Sequence, residues 1–179
     1  MIKELYLKLG FNAANNVVKN ALEQGIQSIP NAPLSLVNLF NQLDNAPKWL
    51  DWNKIDRGSD FCRRSSEFGL LVLRNFCLMG GYESSAINKP LVFTGALHKG
   101  ATKRLEDTTA FWLNVTEDNA LFRKNKGFKE ILKVRLLHAY TRIMILNESE
   151  WDSSLWGIPL NSWDMLATNL GFSIVFLEG

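Results

Sequence analysis

Residues 133–139 read Lys133-Val134-Arg135-Leu136-Leu137-His138-Ala139, and they place one histidine inside a strongly apolar run. Apolar side chains continue on both sides of this stretch, from Ile131 to Leu146. They occupy too wide an arc for the single stripe of a surface helix. The pattern therefore predicts a helix over about residues 128–147 that packs against neighbours on several faces and carries His138 inward.

A buried histidine needs a partner for each of its ring nitrogens. Coordination of a metal, usually heme iron, would satisfy one nitrogen of His138, and a hydrogen bond to a backbone carbonyl would do the same. Taken alone, His138 favours the second arrangement, in which it is an ordinary core histidine. The one other histidine is His98, beside Lys99 and Gly100. We expect His98 to be exposed and to have no functional role.

The rest of the chain also predicts helices. No stretch alternates polar and apolar residues between turn signals, so no strand is expected. Ser59 is expected to cap a long helix over about residues 60–79, and Gly80-Gly81 to end it. The side chains of this helix expected to point inward are Phe61, Phe68, Leu71, Leu73, Phe76 and Leu78. Ser35 and Asn161 are expected to cap two others. The predicted helices cover about residues 12–28, 36–44, 60–79, 84–95, 98–115, 128–147 and 162 to the end, which makes an all-α domain.

Bulk composition excludes several classes of protein. The chain has 179 residues, 46% of them hydrophobic and 21% charged, with a net charge of +2, which is ordinary for one globular domain. This charge gives no reason to expect nucleic acid as a partner. Cys62 and Cys77 lack ligand neighbours, so two buried thiols are expected rather than a disulfide or a zinc site. No signal peptide or transmembrane helix is evident, and the expected location is cytoplasmic, with peripheral membrane association as an alternative.

A second segment carries polar residues that are unusual inside an ordinary apolar core. Arg104, Thr108 and Phe111 share one helical face, with Asp107 beside them. An inward guanidinium would need an anion such as a carboxylate. A surface pair of Arg104 with Asp107 or Thr108 is the alternative. Further along, Thr168 shares a helix side with Asp164.

Taken in order, several short motifs resemble one family: the catalytic domain shared by rubber oxygenases (latex-clearing proteins) and the fungal endoplasmic-reticulum oxygenase of mycophenolic acid biosynthesis. The resemblance covers about residues 47–177 and suggests an N-terminal helical extension at 1–46 before an oxygenase-like heme domain at 47–179. Most of the specificity lies in the Val-Arg-Leu-Leu-His-Ala and Gly-Ile-Pro-Leu-Asn motifs. The motifs are residues 47–52, 57–58, 93–97, 104–108, 134–139, 156–161, 164–168 and 172–173.

The resemblance implies a single globin-like, all-α domain that binds heme b. His138 matches the proximal ligand of the heme iron, and Arg104 and Thr108 match distal residues that contact the cofactor or act in catalysis. Thr168 matches a catalytic threonine on the helix after the Gly-Ile-Pro loop. The implied reaction is cleavage of a carbon–carbon double bond in an isoprenoid or related apolar substrate by dioxygen.

Two departures from the family pattern leave alternatives open. Rubber-cleaving members carry a lysine before the distal threonine, where this chain has Asp107. The family domain also continues beyond the point where this chain stops, so either a further C-terminal segment or a homo-oligomer is expected to complete it. The alternatives are a heme-binding protein without oxygenase activity, and a non-enzymatic helical module that binds an apolar ligand.

Overall fold

A computed structural model of the chain describes residues 2–95, 100–148 and 150–179. Within these ranges every regular element is helical and no strand is present, which confirms the all-α prediction. The helices are α1 (Ile2–Gln24), α2 (Leu34–Leu43), α3 (Trp52–Val72), α4 (Met79–Tyr82), α5 (Ser85–Phe93), α6 (Ala101–Thr116), α7 (Lys126–Glu148), α8 (Ser153–Trp156), α9 (Ser162–Leu170) and α10 (Phe176–Glu178). His98 and the predicted start of the 98–115 helix lie outside the described residues.

Three shorter turns connect these helices. A 3₁₀ turn at Ile26–Ser28 follows α1. The segments Leu73–Leu78 and Gly171–Val175 are π-helical, and they pack against each other. Each π turn shifts the helical phase, because its hydrogen bonds run from residue i to i+5. Side chains beyond such a turn therefore do not follow the face predicted from a 3.6-residue period.

The apolar residues form two separate cores. The first core lies between α1, α2 and α7, so the part of the chain before residue 47 packs directly on the His138 helix. Its largest members include Leu36, Phe40, Leu136 and Tyr140. The second core joins the Leu73–Leu78 π turn, α6 and α10 through Leu73, Cys77, Trp112 and Phe176.

The cysteines lie at the second core as free thiols. Cys77 is buried there and Cys62 packs against it. Burial raises the pKa of both thiols, so they stay protonated near neutral pH. The prediction of two thiols rather than a disulfide is confirmed.

The predicted inward face of the long helix is wrong for four of its six side chains. Phe68 is 79% exposed and Phe61, Leu71 and Phe76 are also exposed, whereas Leu73 is 1% exposed. The cause is a kink at Ser66 (φ 50°, ψ −134°), which turns the first half of α3 relative to the second, followed by the π turn. Neither feature is visible in a hydrophobic pattern.

Several predicted helix ends are also wrong. Asp51, not Ser59, caps α3, because the Asp51 carboxylate accepts a hydrogen bond from the Lys54 amide at 3.2 Å. Ser35 does not cap α2, since its hydroxyl donates to Glu4 at 3.1 Å instead. Gly80 and Gly81 lie inside α4. The Asn161 cap is confirmed, because its side-chain oxygen accepts from the amides of Trp163 and Asp164 at 2.8 and 3.1 Å.

Helices α6 and α7 form the frame for the candidate site. They are joined by a short connection and pack against each other, so they run antiparallel. Gly127 makes the approach close at one end: a Cβ there would lie 2.8 Å from both the Ala120 Cβ and the Asn114 carbonyl oxygen. Arg104 and His138 lie some ten residues from this point on their respective helices. The close contact at Gly127 therefore lies about 15 Å along the helices from the two candidate residues.

Candidate functional site

The side of α7 that carries His138 differs from the side that builds the first core. Leu132, Leu136 and Tyr140 recur every four residues and are buried against α1 and α2. His138 lies two residues from Leu136, about 200° around the helix. Its imidazole is half-buried and points away from that core. The sequence correctly predicts a helix packed on more than one face.

The imidazole of His138 is neutral and has a free nitrogen. Burial lowers its pKa from the ordinary value of 6.5, and the positive charges of Arg142 and Arg104 lower it further. The Nδ1 atom is buried and has no hydrogen-bond partner among the described residues. The arrangement expected for an ordinary core histidine, a carbonyl bound at that nitrogen, is therefore not formed. A neutral imidazole with an open nitrogen is the form that binds a metal ion.

Arg104 on α6 is the second residue with an open donor. It is half-buried, and its Nε atom is buried without a hydrogen-bond partner. No carboxylate in the described part of the chain forms an ion pair with it. A guanidinium in this position is available to an anion that the protein itself does not supply.

The surface pair considered as an alternative for Arg104 is not formed. Asp107 binds Lys103, one turn earlier on the same helix, and its side chain is 62% exposed. Thr108 donates its hydroxyl proton to the backbone carbonyl of Arg104 at 2.7 Å rather than pairing with the guanidinium. The Asp107 carboxylate therefore faces solvent.

The two threonines predicted as site residues make the same local bond. Thr108 donates to the carbonyl of Arg104, and Thr168 donates to the carbonyl of Asp164 at 2.9 Å. Each hydroxyl thus offers only its lone pairs to a neighbour. Thr108 lies beside Arg104 on α6. No hydrogen bond in the described ranges joins Thr168 to His138 or Arg104, and its place in the site stays a prediction.

Arg142 is a residue near His138 that the sequence analysis misses. It follows His138 by one helical turn, and its guanidinium donates to the carbonyls of Pro159 at 3.1 Å and of Leu160. It therefore ties the His138 helix to the Gly-Ile-Pro loop. The available signal was an arginine four residues after His138, but its partners are backbone atoms whose position depends on the loop conformation.

An aromatic cluster anchors the beginning of the same loop. Phe93, Trp151 and Trp156 contact one another edge to face, with ring centroids 5.2–5.5 Å apart. Lys89 lies over the Trp156 ring, 4.3 Å from its centre. Such contacts favour one loop position over others. Both ends of the loop are thus fixed against α5 and α7.

The residues present restrict the kind of metal site. Within residues 2–95, 100–148 and 150–179, no group of three or more histidine, cysteine or acidic side chains lies close enough to hold a metal ion. A site that depends on one histidine remains compatible with this arrangement, as for an iron whose other ligands come from a macrocycle. In the described part of the chain, no helix has both the length and the apolar character needed to cross a membrane.

Comparison with known proteins places the chain in a family. A protein-family model described as the catalytic domain of ER-bound oxygenase mpaB/B′ and rubber oxygenase matches residues 67–179, more than half of the chain. The match includes Arg104, Thr108, His138, Arg142 and Thr168. No curated protein and no solved structure gives a significant match to the chain.

Proposed function

The chain belongs to the family of mpaB and rubber oxygenase catalytic domains, and on this premise we propose that it is a heme b-dependent oxygenase. The proposed reaction joins the two atoms of dioxygen to the two carbons of a double bond in an isoprenoid or related apolar chain. The carbon–carbon double bond breaks and two carbonyl groups form, one aldehyde and one ketone. Family membership supports the oxygenase class, and the residues around His138 support the cofactor.

One observation carries the proposal. His138 and Arg104 lie on packed helices, and each has a buried nitrogen without a partner among residues 2–95, 100–148 and 150–179. Heme b has one iron that accepts a neutral imidazole and two carboxylates that accept guanidinium donors. These donors fit the groups that heme presents. His138 would hold the iron, and Arg104 would bind a carboxylate or another anionic oxygen in the site.

Bound heme would supply the redox chemistry with dioxygen. The protein residues would bind and orient the substrate and exclude water from the site. Because the pKa of His138 is lowered, its imidazole is neutral at neutral pH. It would therefore bind iron without first losing a proton. Thr108 and Thr168 have their hydroxyl protons on backbone carbonyls, so they would accept rather than donate hydrogen bonds. Arg104 is thus the proposed donor to anionic oxygen.

A second candidate is a heme protein without oxygenase activity, and Asp107 favours it. Rubber-cleaving members have a lysine at this position, whereas the Asp107 carboxylate faces solvent and pairs with Lys103. A carboxylate cannot supply an amine ligand or donor. The two candidates share the heme site and differ only in the chemistry that follows.

Other parts of the proposal rest on sequence alone. We propose dioxygen and an apolar small molecule as substrates, no nucleic acid, and an oxygenase-like domain at 47–179 that follows an extension at 1–46. A homo-oligomer, and a cytoplasmic location with peripheral membrane association as the alternative, also stay predictions.

An absorption spectrum tests the cofactor first. The full chain is expressed with added heme beside His138→Ala and, as a matched control, His98→Ala, which removes the other histidine. We expect a Soret band in the unchanged protein and in the control, and its loss or shift in His138→Ala. A band that does not depend on His138 would reject the proposed ligand. Absence of any band would favour the non-enzymatic helical module.

Incubation with dioxygen and a prenylated substrate then separates the two heme proteins. The oxygenase gives cleaved carbonyl products, detected by mass spectrometry with oxygen from ¹⁸O₂. Heme binding without labelled product would favour the second candidate.

A further inference from the structure

The loop from Gly157 to Leu160 has all four of its backbone carbonyls bound by side chains. This is unusual, because exposed loop carbonyls are ordinarily left to water. Three separate parts of the chain contribute the donors. The bonds are Trp151 Nε1 to Gly157 O at 2.8 Å, Asn161 Nδ2 to Ile158 O at 3.1 Å, Arg142 Nε to Pro159 O at 3.1 Å, and Arg142 Nη2 to Leu160 O.

Two residues of this loop have left-handed backbone conformations. Gly157 has φ 69°, which glycine adopts without steric cost. Leu160 has φ 53°, where a leucine side chain collides with its own backbone. Such a residue stays in this region only when its surroundings hold it there. The structure therefore needs a restraint at Leu160.

Arg142 provides this restraint. Its planar guanidinium has parallel donors, which match the two adjacent carbonyls of Pro159 and Leu160. The side chain is half-buried, and no carboxylate among the described residues forms an ion pair with it. Its charge is thus directed at the loop carbonyls rather than at an acid.

The loop leads directly into α9. Asn161, the next residue after Leu160, caps that helix through the amides of Trp163 and Asp164. The backbone angle at Leu160 therefore determines the direction in which α9 leaves the loop. Thr168 lies two turns further along α9.

We propose that Arg142 is a positioning residue: by holding Leu160 in its left-handed conformation, it fixes the start of α9, and with it Thr168, relative to the helix that carries His138. The relevance of this coupling to catalysis rests on the proposed function. The restraint of Leu160 by Arg142 itself involves only residues of this chain and does not depend on a cofactor. Lysine would keep the charge but bind one carbonyl at a time, and methionine would bind neither.

Hydrogen exchange tests the restraint of Leu160 by Arg142 in the full chain without added heme. Amides of residues 157–165 are compared in the unchanged protein, Arg142→Lys and Arg142→Met. Arg64→Met is the matched control, because Arg64 is exposed and pairs with Asp60 on its own helix. We expect these amides to exchange roughly ten-fold faster in Arg142→Met and to be partly protected again in Arg142→Lys, with α7 and the control unchanged.

Two results would overturn the proposal. Equal exchange in Arg142→Met and the unchanged protein would show that the loop needs no restraint. Equal acceleration of every amide would show that Arg142 stabilises the whole fold rather than the loop. A Soret titration with hemin on the same variants tests the proposed function separately: absence of heme binding in the unchanged protein rejects that function and leaves the exchange result valid.

Discussion

Arg104 on α6 and His138 on α7 each bury a nitrogen that no described residue binds, and the pKa of His138 is lowered first by burial and then by the charges of Arg142 and Arg104. Two buried polar nitrogens without partners among the described residues cost free energy in the absence of a ligand. Sites that bind a ligand often carry such a cost, which stabilising substitutions remove together with function.

Replacement of Arg104 should separate stability from binding. We expect Arg104→Met to raise the free energy of unfolding of the heme-free chain by about 1 kcal/mol, because a buried unpartnered donor is removed. The same variant should bind heme more weakly, as measured by Soret titration. Lys103→Met on the exposed side of α6 is the control. A loss of stability in Arg104→Met would show that the guanidinium is satisfied within the protein.

The hydroxyl of Tyr140 offers a test of the first core. Tyr140 is 3% exposed, and its oxygen has no hydrogen-bond partner in the described part of the chain. Burial raises the pKa of the phenol, which stays neutral. Tyr140→Phe should therefore stabilise the protein by about 1 kcal/mol in urea unfolding. Tyr82→Phe, at a more exposed tyrosine, should change little, and a destabilised Tyr140→Phe would reveal a partner for the hydroxyl.

Two glycines in helices should respond oppositely to alanine. A Cβ at Gly127 would lie 2.8 Å from the Asn114 carbonyl, whereas a Cβ at Gly58 meets nothing within 4 Å. Gly127→Ala should cost about 1–3 kcal/mol through overpacking. Gly58→Ala should stabilise α3 by about 0.5–1 kcal/mol, because alanine loses less backbone entropy than glycine. Thermal unfolding of both variants gives the comparison, and equal effects would contradict the close approach at Gly127.

The ion pair between Glu23 on α1 and Lys129 on α7 predicts a pH dependence. Their charged atoms are 2.6 Å apart, and the hydrogen bond from Lys129 lowers the pKa of Glu23 from its ordinary 4.5. A carboxyl whose pKa is lowered in the folded state contributes stability above its ordinary pKa and loses it as the pH falls. Glu23→Gln should thus be less stable than the unchanged protein at pH near 7, and the difference should vanish in acid. A difference that persists unchanged in acid would exclude the carboxylate as its source.

Sequence patterns predicted the parts of this protein that depend on local chemistry. The His138 helix, the Asn161 cap and the free thiols follow from side-chain type and spacing. The family resemblance rested on ordered motifs and is confirmed over residues 67–179.

The remaining features depend on backbone conformation and distant contacts. Phe68 was predicted to face inward because a regular helical period was assumed, whereas the kink at Ser66 changes the phase. Arg142 was missed because its partners are carbonyls, which every residue has, and only the left-handed turn at Leu160 brings two of them together. Hydrogen bonds to backbone carbonyls cannot be predicted from residue types alone.

The tight contact at Gly127 has a consequence for the far ends of its two helices. Arg104 is ten residues from Asn114 and His138 is eleven from Gly127, so both side chains lie about 15 Å along antiparallel rods from the same point. A methyl group added at Gly127 would push α6 and α7 apart at that end and change the angle between the two helices. The distance between the Arg104 guanidinium and the His138 imidazole would then change, although neither residue had been replaced.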